Sequence, residues 1–397
     1  MALLTACQDD GPATPSSSSD TKGASEVIGQ DWPLFRGDLE MQGVTEEALP
    51  TPLEMAWSFE TGDASENRVP PIEASPVIAE GMVLFGTQLG VFFAIDLETG
   101  EEKWQFKAEG SITAPAAAHE GHVYFGDNYG FVYALDLASG EEKWRFETEG
   151  KIEGGVNVLP REGESPAVFI GSHDYFLYSL DSSNGEVIWK HETGNYVVAT
   201  PSIINSGGTQ AVCFGGCDGL LHVLPTTGDE EAKQEIEVGS YIANSAAVRD
   251  GIAYVAHNGG EILAVDIASG EEVWTIETGA EYTASPAVDE KLLYVASPDK
   301  SLVAYDRVSG EEVWKFLSRR SLDSSPVVSG DLIWQGGMDG RLYAIFKADG
   351  SEAWSYELGA QIKASPAVSR GKLVICGTDG VVYAFQAASE DPAPGES

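Results

Sequence analysis

Few side chains in this sequence are spaced to do chemistry. Four cysteines stand at Cys7, Cys213, Cys217 and Cys376. A thiolate becomes a metal ligand or nucleophile when a second thiol, a His or a base lies close by in a recognisable spacing. No Cys-x-x-Cys pair occurs and no two cysteines adjoin. Cys213 and Cys376 fall in equivalent strands of distant repeat copies and should not meet. Cys213 and Cys217 could pair across a tight bend, but free buried thiols are the stronger expectation. The six His are scattered. His119 and His122 flank a turn that reads as a solvated hairpin rather than a metal site. There is no Gly-x-Ser-x-Gly elbow and no phosphate loop. The expectation is therefore no catalytic residues and no metal site.

Charge narrows the partners. The chain carries 63 acidic and 23 basic residues, a net charge of −40. Such a surface repels nucleic acid and anionic membrane, and both are excluded as partners. It also keeps a protein soluble, in a saline habitat or an ordinary one. Against this background the basic residues are conspicuous, and Arg319-Arg320 is the only adjacent basic pair.

The elements that position these residues follow from a repeat. Thr99-Gly100-Glu101-Glu102-Lys103-Trp104 returns as Ser139-Gly140-Glu141-Glu142-Lys143-Trp144 and, with variations, down the chain. A period near forty residues marks an array of supersecondary units. One clean copy, Tyr282 to Phe316, shows four short strands separated by turn signals, the pattern of a propeller blade. Small triplets such as Ala284-Ser285-Pro286 suit the crowded innermost strand, and Pro suits its unpaired edge. Asp-Gly and Asn-Gly pairs suit the hairpins between second and third strands. Trp falls on the outermost strand, at Trp57, Trp104, Trp144, Trp189, Trp274, Trp314 and Trp354, with a degenerate copy near Ala232. These indoles are expected between blades, as structural docks. Eight outer strands predict an all-β, eight-bladed propeller of four antiparallel strands per blade. The N-terminal strand should pair with the last blade and close the ring. A seven-bladed ring with stray strands is the alternative.

The phrase Ala94-x-Asp96-x-x-Thr99-Gly100-x-x-x-Trp104 recurs at Ala134, Asp136, Ser139, Gly140, Trp144, and again at Ala264 to Trp274 and Ala304 to Trp314. This resembles the tryptophan-docking repeat of the pyrroloquinoline-quinone (PQQ) propeller superfamily over residues 53–386. The copy at Pro225 to Asp229 departs from it: Pro replaces Asp and Trp is missing, so blade four should be the least firmly locked. Phe346 takes the Asp position of a further copy. The superfamily contains PQQ-dependent alcohol dehydrogenases and non-enzymatic propellers such as the BamB-type outer-membrane assembly lipoproteins. The resemblance implies that an enzyme would need adjacent cysteines, Ca²⁺ ligands, an Asp base and long pocket-walling insertions. None is evident, so PQQ and Ca²⁺ are not expected. The segment Asp31 to Gly37 also resembles the lead-in of bacterial PQQ-repeat envelope proteins and reads as an apolar plug on the ring.

Leu3-Leu4-Thr5-Ala6-Cys7 resembles the end of a bacterial lipoprotein signal, with Cys7 as the lipidated residue. Six residues are too few for a whole signal, so the natural start is expected upstream. The division is then residues 1–7 signal remnant, 8–30 disordered tether, 31–52 lead-in, 53–386 propeller and 387–397 acidic tail. The tether reaches roughly 25 Å on average. Blade topology sends the Gly-Glu-Glu turns to one face. The opposite face receives Arg68, Lys151, Tyr196, Tyr241, Tyr282, Arg319, Arg320 and Lys363, residue types that suit protein interfaces. They could also merely offset the acidic field. The expected function is a monomeric, non-enzymatic scaffold on the periplasmic side of the outer membrane. It would be held there by the lipid anchor and bind an envelope protein, an outer-membrane assembly component among the candidates. A PQQ-dehydrogenase-like enzyme and a glycan- or peptide-binding propeller remain the alternatives.

Overall fold

The computed structural model describes residues 31–62, 69–206 and 209–389. Cys7, residues 8–30, Arg68 and residues 390–397 lie outside them. Eight sheets form the blades, each of four antiparallel strands, and in one of them Val44–Thr45 of the lead-in adds a fifth, parallel strand beside Val327–Ser329. Blade one is Val77–Ala79, Met82–Gly86, Val91–Asp96 and Glu102–Lys107, running from the axis outward. Blade eight combines Ala367–Ser369, Lys372–Cys376 and Val381–Ala387 with the N-terminal strand Leu53–Glu60. The ring therefore closes as the sequence predicts, and the last strand runs one residue beyond the expected boundary at 386. Cys213, Cys217 and Cys376 are free.

Second and third strands are sandwiched between neighbouring blades and are apolar on both faces. Val83, Leu84, Phe85, Phe92, Phe93, Ala94 and Ile95 are all buried. Outer strands alternate, and in Glu102–Lys107 only Trp104 and Phe106 point inward. A β-bulge precedes each docking tryptophan, for example between Glu102 and Trp104 or Glu312 and Trp314. Bulges re-aim side chains, and here they turn the indole onto the next blade. Blade four lacks both the Trp and the bulge. Its outer strand is Gln234–Glu237, and Ala232 lies before it in a short 3₁₀ turn.

Six of the seven docking indoles donate their N–H to a carbonyl of the next blade. Trp57 reaches Leu97, Trp104 reaches Leu137, Trp144 reaches Ser182 and Trp189 reaches Thr226, at 2.7–2.9 Å. Trp274 and Trp314 do likewise at 3.1 and 2.9 Å. The ring lies flat on the turn glycine of that blade, where a Cβ on Gly140 would stand 2.6 Å from Trp104. Asp96 shapes the turn by accepting from the Glu98 and Thr99 amides. Lys103 at 2.9 Å holds its carboxyl down to about 2. Trp354 is different. It packs among Trp334, Tyr356 and Phe385, but its N–H meets no acceptor among the described residues. Its neighbour is the closing blade, where the turn from third to fourth strand is interrupted because the fourth strand comes from the other end of the chain.

The small triplets precede the inner strands rather than lying within them, and they line the channel. Their middle residues form a ring. The Gly155 amide donates to Thr200 Oγ1, Thr200 to Ser245 Oγ, Ser245 to Ser285, Ser285 to Ser325, Ser325 to Ser365, and Ser365 to Ser75. Every link crosses a blade boundary. Pro115 interrupts the circle. Below this ring the lead-in runs as a belt around the axis. Trp32, Pro33, Leu39, Glu40, Gln42 and Gly43 carbonyls accept the inner-strand amides of Ile78, Ala118, Ile203, Val248, Val288 and Val328. The belt thus satisfies the backbone donors that an unpaired inner edge would leave exposed. It buries Trp32, Leu34 and Met41. Arg36 is buried within it, giving one hydrogen bond to the Pro286 carbonyl at 3.0 Å, while Nε and Nη1 have no protein acceptor. Burial pushes Arg36 down to about 9 and Asp38 up to about 6.

Candidate functional site

The face opposite the Gly-Glu-Glu turns is built from two kinds of loop. In four blades the hairpin between second and third strands is closed by an Asp whose carboxylate caps the hairpin and accepts a Tyr hydroxyl. Asp127 takes Tyr133, Asp174 takes Tyr178 and Asp379 takes Tyr383, at 3.0, 2.7 and 2.7 Å. The connection from each fourth strand to the next first strand lies against the hairpin of the blade it enters. Amides of His173, Cys217 and Asn258 donate to the carbonyls of Lys151, Tyr196 and Tyr241. These three residues therefore occupy one repeating surface position.

The predicted residues divide accordingly. Tyr196 and Tyr241 are exposed, at 40% and 44%. Arg319 and Arg320 are exposed, with no ion pair among the described residues. Lys151 is paired with Glu153 at 2.6 Å, and Lys363 with Glu73 at 2.7 Å, so their charge is locally neutralised. Tyr282 does not belong to the surface. It is buried, 2% exposed, with its hydroxyl on Thr278 Oγ1 at 2.9 Å. The repeat explains why: Tyr282 stands where other copies carry Ile112, Ile152, Ile242 and Ile362, an inward position.

The structure adds residues that sequence reasoning missed. Tyr129 (70% exposed) and Tyr175 (43%) project from the hairpins of blades two and three. Tyr196 stacks on His173, ring centres 4.3 Å apart, and lies 5.4 Å from Tyr175. Tyr175 also holds a positive φ of 78°, where equivalent hairpins place Gly219, Gly340 and Gly380. A side chain in that left-handed region costs about 1 kcal/mol or more. That substitution for glycine was the available sequence signal. Together Tyr129, His173, Tyr175, Tyr196 and Tyr241 make an aromatic arc over blades two to five. The arginine pair lies on the far side of the ring.

At the centre of this face opens a funnel of about 720 Å³, lined by Glu73, Glu153, Asp323 and Lys363 together with small polar side chains. These four occupy equivalent positions just above the hydroxyl ring. His173 Nε2 approaches Glu153 at 2.8 Å, and burial lowers the His173 pKa. The floor is a smaller cavity bounded by the ring and by Phe35 of the belt.

The fold has known relatives. Among solved structures, BamB from Moraxella catarrhalis is 20% identical with a TM-score of 0.70, covering 84% of this chain and all of that one. Quinohemoprotein alcohol dehydrogenase from Comamonas testosteroni is 16% identical with a TM-score of 0.75, covering 92% of this chain and 82% of that one. A europium-containing methanol dehydrogenase is 12% identical with a TM-score of 0.74, covering 91% and 98%. These likenesses establish the fold. No curated protein matches the sequence significantly. The family model described as outer membrane protein assembly factor BamB matches residues 54–146, 88–250 and 218–392. Those matches run from the closing strand to the last blade, and the chain belongs to that family of PQQ-like repeat propellers.

Proposed function

We propose that this protein is a non-enzymatic envelope scaffold whose funnel face docks a protein segment, in the manner of an outer-membrane assembly factor. The observation that carries the reading is the exposed aromatic arc of Tyr129, Tyr175, Tyr196 and Tyr241 on a strongly acidic protein. Tyr is enriched at interfaces because it offers apolar area and a hydrogen bond at small entropic cost. The strained Tyr175 supports the same reading, since strain is retained where a side chain is needed. Arg319 and Arg320, in no ion pair among the described residues, suit an acidic stretch of the partner. Cys7 as a lipid anchor would hold the scaffold on the periplasmic side of the outer membrane.

The funnel lining supports the scaffold over the dehydrogenase. A PQQ-type quinone is a flat polycarboxylate. The charged lining here is three carboxylates and one lysine already bound to Glu73 at 2.7 Å. Among the described residues no aromatic side chain lines the funnel mouth to stack on a planar ring. The residues present do not fit that cofactor, and no catalytic step is assigned to it. The test is partner capture from envelope extracts with the full-length protein. Tyr196→Ala combined with Tyr241→Ala should lower recovery at least tenfold, and Arg319→Ala with Arg320→Ala should lower it and weaken its salt dependence. Unchanged recovery in both would refute the docking face. Dye-linked alcohol oxidation on adding PQQ and Ca²⁺ would refute the scaffold.

A further inference from the structure

A recurring aromatic contact between blades is replaced by two histidines at one boundary. Two residues after each docking Trp, the outer strand usually carries an aromatic that meets an aromatic on the third strand of the next blade. Phe106 meets Tyr133, Phe146 meets Tyr178 and Phe316 meets Tyr343, with ring centres 5.2–5.5 Å apart. Between blades three and four the pair is His191 and His222. Both are 2% exposed. Asp218 receives His222 as its counterparts receive Tyr.

The carboxylates around this pair fix its protons. His191 Nδ1 lies 2.8 Å from Glu230 Oε1, and His222 Nε2 lies 3.0 Å from Asp218 Oδ2. Each of those nitrogens donates, so in the neutral rings the other two are bare lone pairs. Those two, His191 Nε2 and His222 Nδ1, face one another at 3.4 Å. Two lone pairs do not attract, and a cation between them, either a shared proton or a metal ion, resolves the conflict. Glu235 completes the group: one ligand atom from each of His191, His222 and Glu235 lies within 4.8 Å of the others. Imidazole nitrogens bound tetrahedrally at about 2.0–2.1 Å from zinc stand about 3.3–3.4 Å apart. The observed separation is that of a preformed pair of ligands.

We propose that His191 Nε2, His222 Nδ1 and a Glu235 carboxylate oxygen bind a divalent first-row transition-metal ion, zinc by preference. The ion ties the outer strand of blade three to blade four. Asp218 and Glu230 are the outer carboxylates that orient metal-bound imidazoles. Glu235 is exposed, which leaves the fourth position to solvent. Lys233 now holds Glu235 at 2.7 Å and Glu230 at 3.5 Å. Metal uptake exchanges the Lys233–Glu235 contact for the metal.

The test is titration of the chelator-treated full chain with ZnCl₂ by calorimetry, and with Co²⁺ by visible absorption, in a competing weak chelator that strips ions from the acidic surface. One equivalent should bind, with the intense absorption of four-coordinate Co²⁺. His191→Gln and His222→Gln should each lower affinity at least a hundredfold, and Glu230→Gln about 10–100-fold. Circular dichroism and the metal-free unfolding midpoint report whether the His variants fold. If they do not, the exposed Glu235→Gln decides between the outcomes, with an expected loss of at least tenfold. No tight equivalent in the wild type, or unchanged affinity in the folded variants, overturns the proposal.

Discussion

Gly140→Ala and Gly270→Ala are the same substitution in the same turn of two blades, and the structure predicts different costs. Both glycines have positive φ, 73° and 72°. Placing Ala there costs about 1–2 kcal/mol on backbone grounds alone. At Gly140 the new methyl would also stand 2.6 Å from two atoms of the Trp104 ring. That is far inside contact distance, so the indole must lift. Lifting it breaks the 2.9 Å bond from Trp104 Nε1 to the Leu137 carbonyl, worth about 1 kcal/mol. It also opens part of the packing that a full Trp→Ala change would remove, at roughly 3–5 kcal/mol. The sum for Gly140→Ala is about 3–5 kcal/mol. At Gly270 there is no indole, because blade four carries none. The nearest atom to the new methyl would be Ile236 Cγ1 at 3.6 Å, an ordinary contact. The cost there should stay at about 1–2 kcal/mol. Urea unfolding followed by far-ultraviolet circular dichroism measures both, and the difference of about 2–3 kcal/mol isolates the dock. A second arm combines Gly140→Ala with Trp104→Phe. The methyl should cost less beside the smaller ring, giving a measurable coupling between the two sites. Equal losses for the two single variants, or strict additivity in the pair, would refute the account of the tryptophan as a lock seated on glycine.

Two further outcomes follow from the ring and its belt. Trp314→Phe should cost about 1 kcal/mol more than Trp354→Phe, because Trp314 donates to the Lys347 carbonyl at 2.9 Å whereas Trp354 has no acceptor among the described residues; equal losses in denaturant midpoint would contradict it. Asp38 is held in the belt with its carboxyl raised by burial from 3.8 to about 6. Since its folded value lies above the unfolded one, its contribution is greatest below about 4 and is lost as pH rises through about 6. Wild type should therefore lose about 1–2 kcal/mol relative to Asp38→Asn between pH 4 and pH 6, after allowance for solvent screening; parallel stability curves for the two proteins would remove the basis for that shift.

The blades were legible because their signals are local. A turn glycine, an Asp capping its own turn and a Trp four residues after the glycine lie within one short phrase. The eight copies could be counted from that phrase, and the half-blades at each end implied closure. The belt was only partly legible. It reads as an apolar lead-in, but its attachment uses backbone carbonyls, which any sequence supplies. Tyr282 was misassigned because Tyr is an interface residue by type, while its place in the repeat is that of a buried Ile. The hydroxyl ring was present in the Ala-Ser-Pro triplets, but size alone does not announce it. The arc was half legible: Tyr196 and Tyr241 stand in the connections that carry the basic and aromatic residues, whereas Tyr129 and Tyr175 lie in hairpins whose sequence speaks first of turn chemistry. His191 and His222 stand 31 residues apart and look scattered. Only the strand register places them face to face.

A repeat protein makes its exceptions visible, because every position has up to seven internal controls. Where all copies agree, the shared residue answers a demand of the ring itself. The turn glycine under each indole and the small residues around the axis are of that kind. Where one copy departs at a buried position, the ring tolerates the change, and its cause must be sought elsewhere. Blade four departs three times: it loses its Trp, loses the bulge that aims it, and takes His222 where blades two, three, seven and eight place Tyr. The first two go together, since a bulge with no indole to direct has no role. The third does not follow from them, because His222 faces blade three, whose own Trp189 is still docked on Thr226 at 2.9 Å. Loosening at the boundary with blade five therefore cannot explain a histidine pair at the boundary with blade three. That pair needs a reason of its own, and the two carboxylates that hold both rings with their lone pairs inward supply one.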